Sequence, residues 1–344
     1  MTNHKLLLTA AIAALSIPAT AEARTQMRAV GSSTVYPFAK IVAERIARAN
    51  PRLGTPIIES TGTGGGMKLF CAGVGENFPD VENASRRMKA SEAKLCQHNG
   101  VTAITEIQVG IDGISLATAK STPLQNLTTR DIYAALAKTP WGKPNRAKSW
   151  HDVNPRLPNL AIRVYGPPPT SGTRDALGEL IMSAGCDSNP GMAAVKKADE
   201  NKYKAICTAM REDGGFIEAG ENDNLIVQKL EANSGTVGIF GYSYLEENAD
   251  RLKGLQINGV TPTYDAISTF KYPGARPLFI YIKNAHAGAI PAVRAYAAEF
   301  TKESAFGPNG YLKHAGLIVS PNNVRARSQQ LARALSPLNL ASLK

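Results

Sequence analysis

Short β-branched runs alternate with helical patterns along this chain, and at four places a Gly/Ser/Thr/Asn cluster separates one from the other. The alternation predicts strands that lead into helices, hence α/β lobes. Strand-like residues 27–30 precede Gly31-Ser32-Ser33-Thr34. Pro37 then marks a helix start, and Phe38, Ile41, Val42 and Ile46 keep helical spacing. Residues 56–58 precede a polar, glycine-rich stretch from Ser60 to Gly66, after which Met67-Lys68-Leu69-Phe70 reads as helix. Residues 162–165 precede Thr170-Ser171-Gly172-Thr173 and a helix carrying Leu177, Leu180 and Ile181. The fourth cluster, Gly220 to Asn224, opens a helix over 225–230 before a strand over 235–240.

A helix N-terminus leaves backbone N–H groups unpaired and carries a partial positive charge. Glycine allows close backbone approach, and Ser/Thr hydroxyls add donors. Several such ends brought together make a neutral cage for an oxyanion at the carboxyl edge of the strands. Any one cluster is better explained by ordinary capping than by a ligand. Their recurrence, two early and two late, points to one cage built from two lobes. A nucleotide loop fits less well: a Walker A motif needs Gly-Lys-Ser/Thr, and a dinucleotide motif needs glycine where Met67 stands.

Charge narrows the partner. The formal net charge is +11, which attracts nucleic acid, anionic lipid or small anions. Lys and Arg are spread along the chain without runs, and aromatics are only 6%, so neither a nucleic-acid motif nor a stacking platform is present. Small anions fit best.

The N-terminus sets the compartment. Lys5, an apolar and small-residue stretch to Thr20, and Ala21-Glu22-Ala23 form a secretory signal with cleavage after Ala23. Removing 23 of the 344 residues leaves roughly 320, enough for two lobes. In an exported chain the four cysteines read as disulfides, and nearest-neighbour pairing joins Cys71 to Cys96 and Cys186 to Cys207. Metal binding is the weaker reading: no C-x-x-C occurs, and the histidines lack ligand spacing.

With these residues in view, the chain resembles the phosphate-binding proteins of ABC transporters, the PstS type. The resemblance rests on Gly31-Ser32-Ser33-Thr34-Val35-Tyr36-Pro37, Gly62-Thr63-Gly64-Gly65-Gly66, Asn83-Ala84-Ser85-Arg86 and Thr170-Ser171-Gly172-Thr173-Arg174, taken in order. Residues 235–242 and Arg276-Pro277-Leu278-Phe279-Ile280-Tyr281 extend it, so that it covers nearly all of the mature chain. It implies a two-lobed Venus-flytrap protein (a type II-like periplasmic binding protein) that works as a monomer without a cofactor, holds phosphate in the cleft and delivers it to an inner-membrane permease. Hinge strands are expected near 110–116 and 273–281, which gives one lobe from residues 24–112 plus 273–344 and the other from 113–272. Matching the motifs places Ser33, Thr34, Thr63, Ser171, Gly172 and Thr173 at ligand positions, with Val35, Gly64, Arg174 and Asn222 next in line.

Two departures matter. The best-known members carry aspartate where this chain has Arg86, and arginine where it has Pro167. Arg86 is therefore read as the cation that Pro167 cannot supply, able to fork onto a dianion. The loss of the aspartate implies weaker discrimination of phosphate from sulfate, so a binding protein for another tetrahedral oxyanion stands as the alternative. A secreted phosphatase is a third class, disfavoured because the chain has no G-x-S-x-G elbow and no metal-ligand cluster.

Overall fold

The computed structural model describes residues 26–169, 171–220 and 223–343. The signal segment, Thr170 and Asn222 lie outside the described residues. The strands in chain order are β1 Arg28–Gly31, β2 Ile57–Ser60, β3 Val81–Ala84, β4 Ile104–Ala119, β5 Asn126–Leu127, β6 Val164–Gly166, β7 Phe216–Glu218, β8 Val237–Gly241, β9 Leu252–Gly254, β10 Gln256–Ile257 and β11 Ala275–Lys283. Nine of them form one mixed sheet in the order β2-β1-β3-β11-β4-β8-β6-β7, with β9 also on β4, while β5 and β10 pair separately.

The spine is β4, a 16-residue strand in which all but four residues are buried. A strand covered on both faces reads as a nearly continuous apolar run rather than an alternating one. Its first part pairs antiparallel with β11 over Ile104–Gly113; from Ile114 onward it pairs with β8 instead. The chain passes between the two halves of the sheet here and again around Gly274, and the passages are joined, since the Ile114 amide donates to the Gly274 carbonyl at 2.9 Å. Buried apolar side chains collect accordingly. One cluster is drawn mainly from the middle of the chain, around Tyr133, Trp150 and Phe240. Two others join the first hundred residues to the C-terminal segment, around Val42 with Tyr296 and around Phe70 with Tyr281.

The predicted strand–helix alternation is present, with shifts of one to two residues at most ends. Helix α1, Tyr36–Ala49, buries Phe38, Val42 and Ile46 along one stripe and carries Pro in its first turn. The glycine-rich stretch differs from expectation. Helix α2 spans Thr63–Phe70, so Gly64, Gly65 and Gly66 form its first turn and are not a loop. Packing explains this: a Cβ at Gly66 would lie 2.6 Å from the Gly31 Cα and 2.1 Å from a Glu82 carboxylate oxygen. Only glycine lets α2 lie this close to β1 and β3. The helix after Ser171 also departs from a regular path: Gly172–Ala176 runs directly into a π-helical turn, Leu177–Met182.

Both disulfides have the nearest-neighbour pairing, Cys71–Cys96 and Cys186–Cys207. The first ties α2 to helix α3, Ala90–His98; the second ties two helices of the middle segment. No helix among the described residues is long and apolar enough to cross a membrane.

Candidate functional site

A cleft of about 940 Å³ opens between the two halves of the sheet. All four strand-to-helix junctions reach it. Ser33, Thr34 and Pro37 border it from the start of α1, Ser60 and Gly62 from the approach to α2, and Ser171, Gly172 and Thr173 from the opposite side. Asp223, at the start of the helix Asp223–Ala232, adds to the lining together with Gly241 and Ser243 after β8. The walls carry many small polar residues from helix beginnings, alongside the larger Tyr36, Phe38 and Tyr244.

The walls also touch. Ser33 Oγ donates to Asp175 Oδ2 at 2.7 Å, and Thr34 Oγ1 donates to the Gly172 carbonyl at 3.0 Å. Ser171 Oγ accepts the Thr173 amide at 3.2 Å, an N-cap of the helix Gly172–Ala176. On the other side Ser32 Oγ accepts the Thr34 amide at 3.1 Å and the Val35 amide at 3.4 Å; Val35 itself is fully buried.

Thr63 and Arg86 stand just outside this lining. Thr63 is buried next to Gly62; its hydroxyl accepts the Ser85 amide at 3.1 Å and lies 3.0 Å from Ser85 Oγ. Arg86 lies alongside Gly64, where an added Cβ would be 3.9 Å from its Nη2. Its guanidinium forks onto Glu92 at 2.9 and 2.7 Å, with a further bond to the Arg87 carbonyl. Burial works against the Arg86 charge, but Glu92 outweighs it and holds the arginine above its usual range. Burial likewise pushes the Glu92 carboxyl up, yet the bonds from Arg86 and from the Lys89 amide leave it lowered. Arg174 points elsewhere: it donates to the Pro167 carbonyl at 3.0 Å, lies 3.6 Å from Glu218 and stacks over the Phe216 ring.

The residues that sequence reasoning missed are charged and buried. Arg276, only 3% exposed, donates to Asp112 at 3.2 Å, Glu179 at 2.9 Å, Thr34 Oγ1 at 2.6 Å and the Gly172 carbonyl at 3.1 Å. Asp112 borders the cleft; burial raises its carboxyl above the usual range, and Arg276 partly offsets that. Arg276 appeared in the sequence only within a strand-like motif. Its three side-chain partners are 164, 97 and 242 residues away, so no local pattern announces them. Glu82 is a second case. It is fully buried beside Gly31 and Gly66, and neither carboxylate oxygen has a hydrogen-bond partner among the described residues. Burial drives its pKa well up, Glu92 adds to the rise, and Arg86 opposes it.

Chemically, such a cleft can hold a small oxyanion by hydroxyls, amides and helix ends. Among the described residues no group of three or more His, Cys, Asp or Glu side chains is placed to hold a metal ion.

The chain is similar to known proteins in sequence and fold. Residues 17–304 match the PBP superfamily domain. Protein SphX of Synechococcus elongatus is 34% identical over 75% of this chain and 68% of its own. The phosphate-binding protein PstS of Staphylococcus saprophyticus is 31% identical over 74% of this chain and 69% of its own. Among solved structures, a possible phosphate binding protein from Planctomyces limnophilus superposes with a TM-score of 0.72 at 27% identity, covering 90% of this chain and 98% of that one.

Proposed function

Since the chain belongs to the PBP superfamily and, within it, to the PstS-type phosphate-binding proteins, we propose that it captures inorganic phosphate in this cleft and hands it to an ABC-type permease. The observation that carries the reading is the meeting of the Ser33–Thr34 loop with Ser171–Thr173 across one cavity, each at a helix start on a different side. Donors from both sides make closure and binding one event.

In this reading Ser33, Thr34, Thr63, Ser171, Gly172 and Thr173 hold the anion, and Arg86 adds positive charge from beside Gly64. Residues 24–112 with 273–344 move against 113–272, bending where β4 changes partner and around Gly274. The protein acts as a periplasmic monomer after cleavage behind Ala23, and phosphate leaves chemically unchanged. Calorimetric titration of the secreted protein with phosphate tests the binding; heat indistinguishable from buffer would end the proposal. A phosphoester assay on the same sample tests the absence of turnover, and phosphate release above blank would move the protein to the hydrolases.

A further inference from the structure

We propose that Arg276 is a positioning residue that couples assembly of the anion site to closure, with Glu179 as the carboxylate that draws it across. The proposal rests on the reading of this cleft as the anion site.

Arg276 stands at the start of β11, beside the second passage between the halves of the sheet. An arginine has five N–H donors in a fixed plane. Here Nε goes to Asp112 and Nη1 to Glu179, so two carboxylates neutralise the buried charge. Nη2 is shared between Thr34 Oγ1 and the Gly172 carbonyl, which come from opposite sides of the cleft. Thr34 Oγ1 itself donates to that same carbonyl. The three groups close a cycle. The Thr34 hydroxyl is thereby oriented, and so is the planar peptide between Gly172 and Thr173, since fixing its carbonyl fixes its N–H.

Glu179 supplies the draw. It sits on the π-helical turn Leu177–Met182, a local rewinding of the kind that re-aims side chains at functional sites. Its side chain remains 47% exposed while bonded to the nearly inaccessible Arg276. Arg86, on the other side of the cleft, also feels its charge. One acidic residue of the middle segment thus bonds Arg276 directly and acts on Arg86 through its charge. Opening the cleft would separate Arg276 from Glu179 and Gly172 at once.

The test compares wild type, Glu179→Gln and Arg276→Lys as secreted proteins. Small-angle scattering without phosphate is expected to give a larger radius of gyration for both variants than for wild type. Stopped-flow phosphate binding is expected to show a weakening of about two- to fivefold for Glu179→Gln, carried by faster dissociation with an unchanged association rate. Glu179→Gln replaces a half-exposed group and tests the draw even where Arg276→Lys does not fold. Wild-type radius and wild-type dissociation in Glu179→Gln would overturn the proposal. Failure of wild type to bind phosphate would instead overturn the functional reading, and the phosphate-free scattering would still decide the role of Arg276.

Discussion

Gly172 lies so close to Thr34 across the cleft that a Cβ added to it would be 2.3 Å from the Thr34 Cα and 2.4 Å from its amide nitrogen. Both are backbone atoms, which cannot swing aside as a flexible side chain would. Gly172→Ala is therefore expected to hold the two walls apart and to weaken phosphate binding by about tenfold or more, the cost of forcing a methyl into a full space. Its thermal unfolding should match wild type, because the clash is between lobes and not inside one. Scattering at saturating phosphate checks the cause: the variant should keep the larger radius.

Thr63→Ala and Ser171→Ala are each expected to weaken phosphate binding by about 1–3 kcal/mol, the range for a hydrogen bond to a charged group. They should differ in stability. Thr63 Oγ1 accepts the buried Ser85 amide, so its removal strands a donor and lowers unfolding free energy by about 1–3 kcal/mol. Ser171 is half-buried and caps a five-residue helix, and its loss should cost about 1 kcal/mol. Calorimetric titration and urea denaturation of the two variants separate the effects.

The pairs Cys71–Cys96 and Cys186–Cys207 close segments of 25 and 21 residues. Replacing both members of either pair with Ala is expected to reduce stability by roughly 3 kcal/mol through the freed unfolded chain. Non-reducing peptide mapping should recover the two bridges and no Cys71–Cys207 peptide.

Glu82 gives a pH signature. Its folded pKa lies well above the ordinary value, because burial penalises the charged form most, with Glu92 adding to this and Arg86 opposing. The native state thus holds the proton more tightly than the unfolded chain. Stability from this site is complete below the unfolded pKa of about 4.3 and declines as pH rises through the window up to the folded pKa. Glu82→Gln cannot ionise and escapes the decline. Its melting temperature is expected to gain on wild type steadily from pH 4 towards pH 8; parallel curves would show that Glu82 is not buried in its acid form.

Selectivity should survive the replacement of aspartate by Arg86. Asp112, Asp175 and Asp223 border the cleft, and a carboxylate accepts the hydrogen bond from the O–H that phosphate carries and sulfate lacks. Phosphate titrations with and without a large excess of sulfate are expected to give the same affinity. Since Arg86 is forked onto Glu92, Arg86→Ala should weaken phosphate less than Ser171→Ala does. Competition by sulfate would show that none of the three aspartates faces the ligand.

The sequence by itself determined the α/β alternation, the four polar junctions and the family, because each is written in neighbouring residues: β-branched runs, Pro in a first turn, motifs in fixed order; the nearest-neighbour disulfide pairing it suggested was decided by the structure. Helix spacing alone placed Phe38, Val42 and Ile46 on the buried stripe of α1. Tertiary structure decided the rest. That Gly64–Gly66 belong to a helix depends on the approach of Gly31 and Glu82 from other strands, and in isolation glycines argue for a loop. That Arg276 is buried depends on Asp112 and Glu179, and a lone arginine in a sequence reads as exposed. Local propensity is set by a residue's own backbone and neighbours, whereas the desolvation of a charge is affordable only where distant chain brings the opposite one.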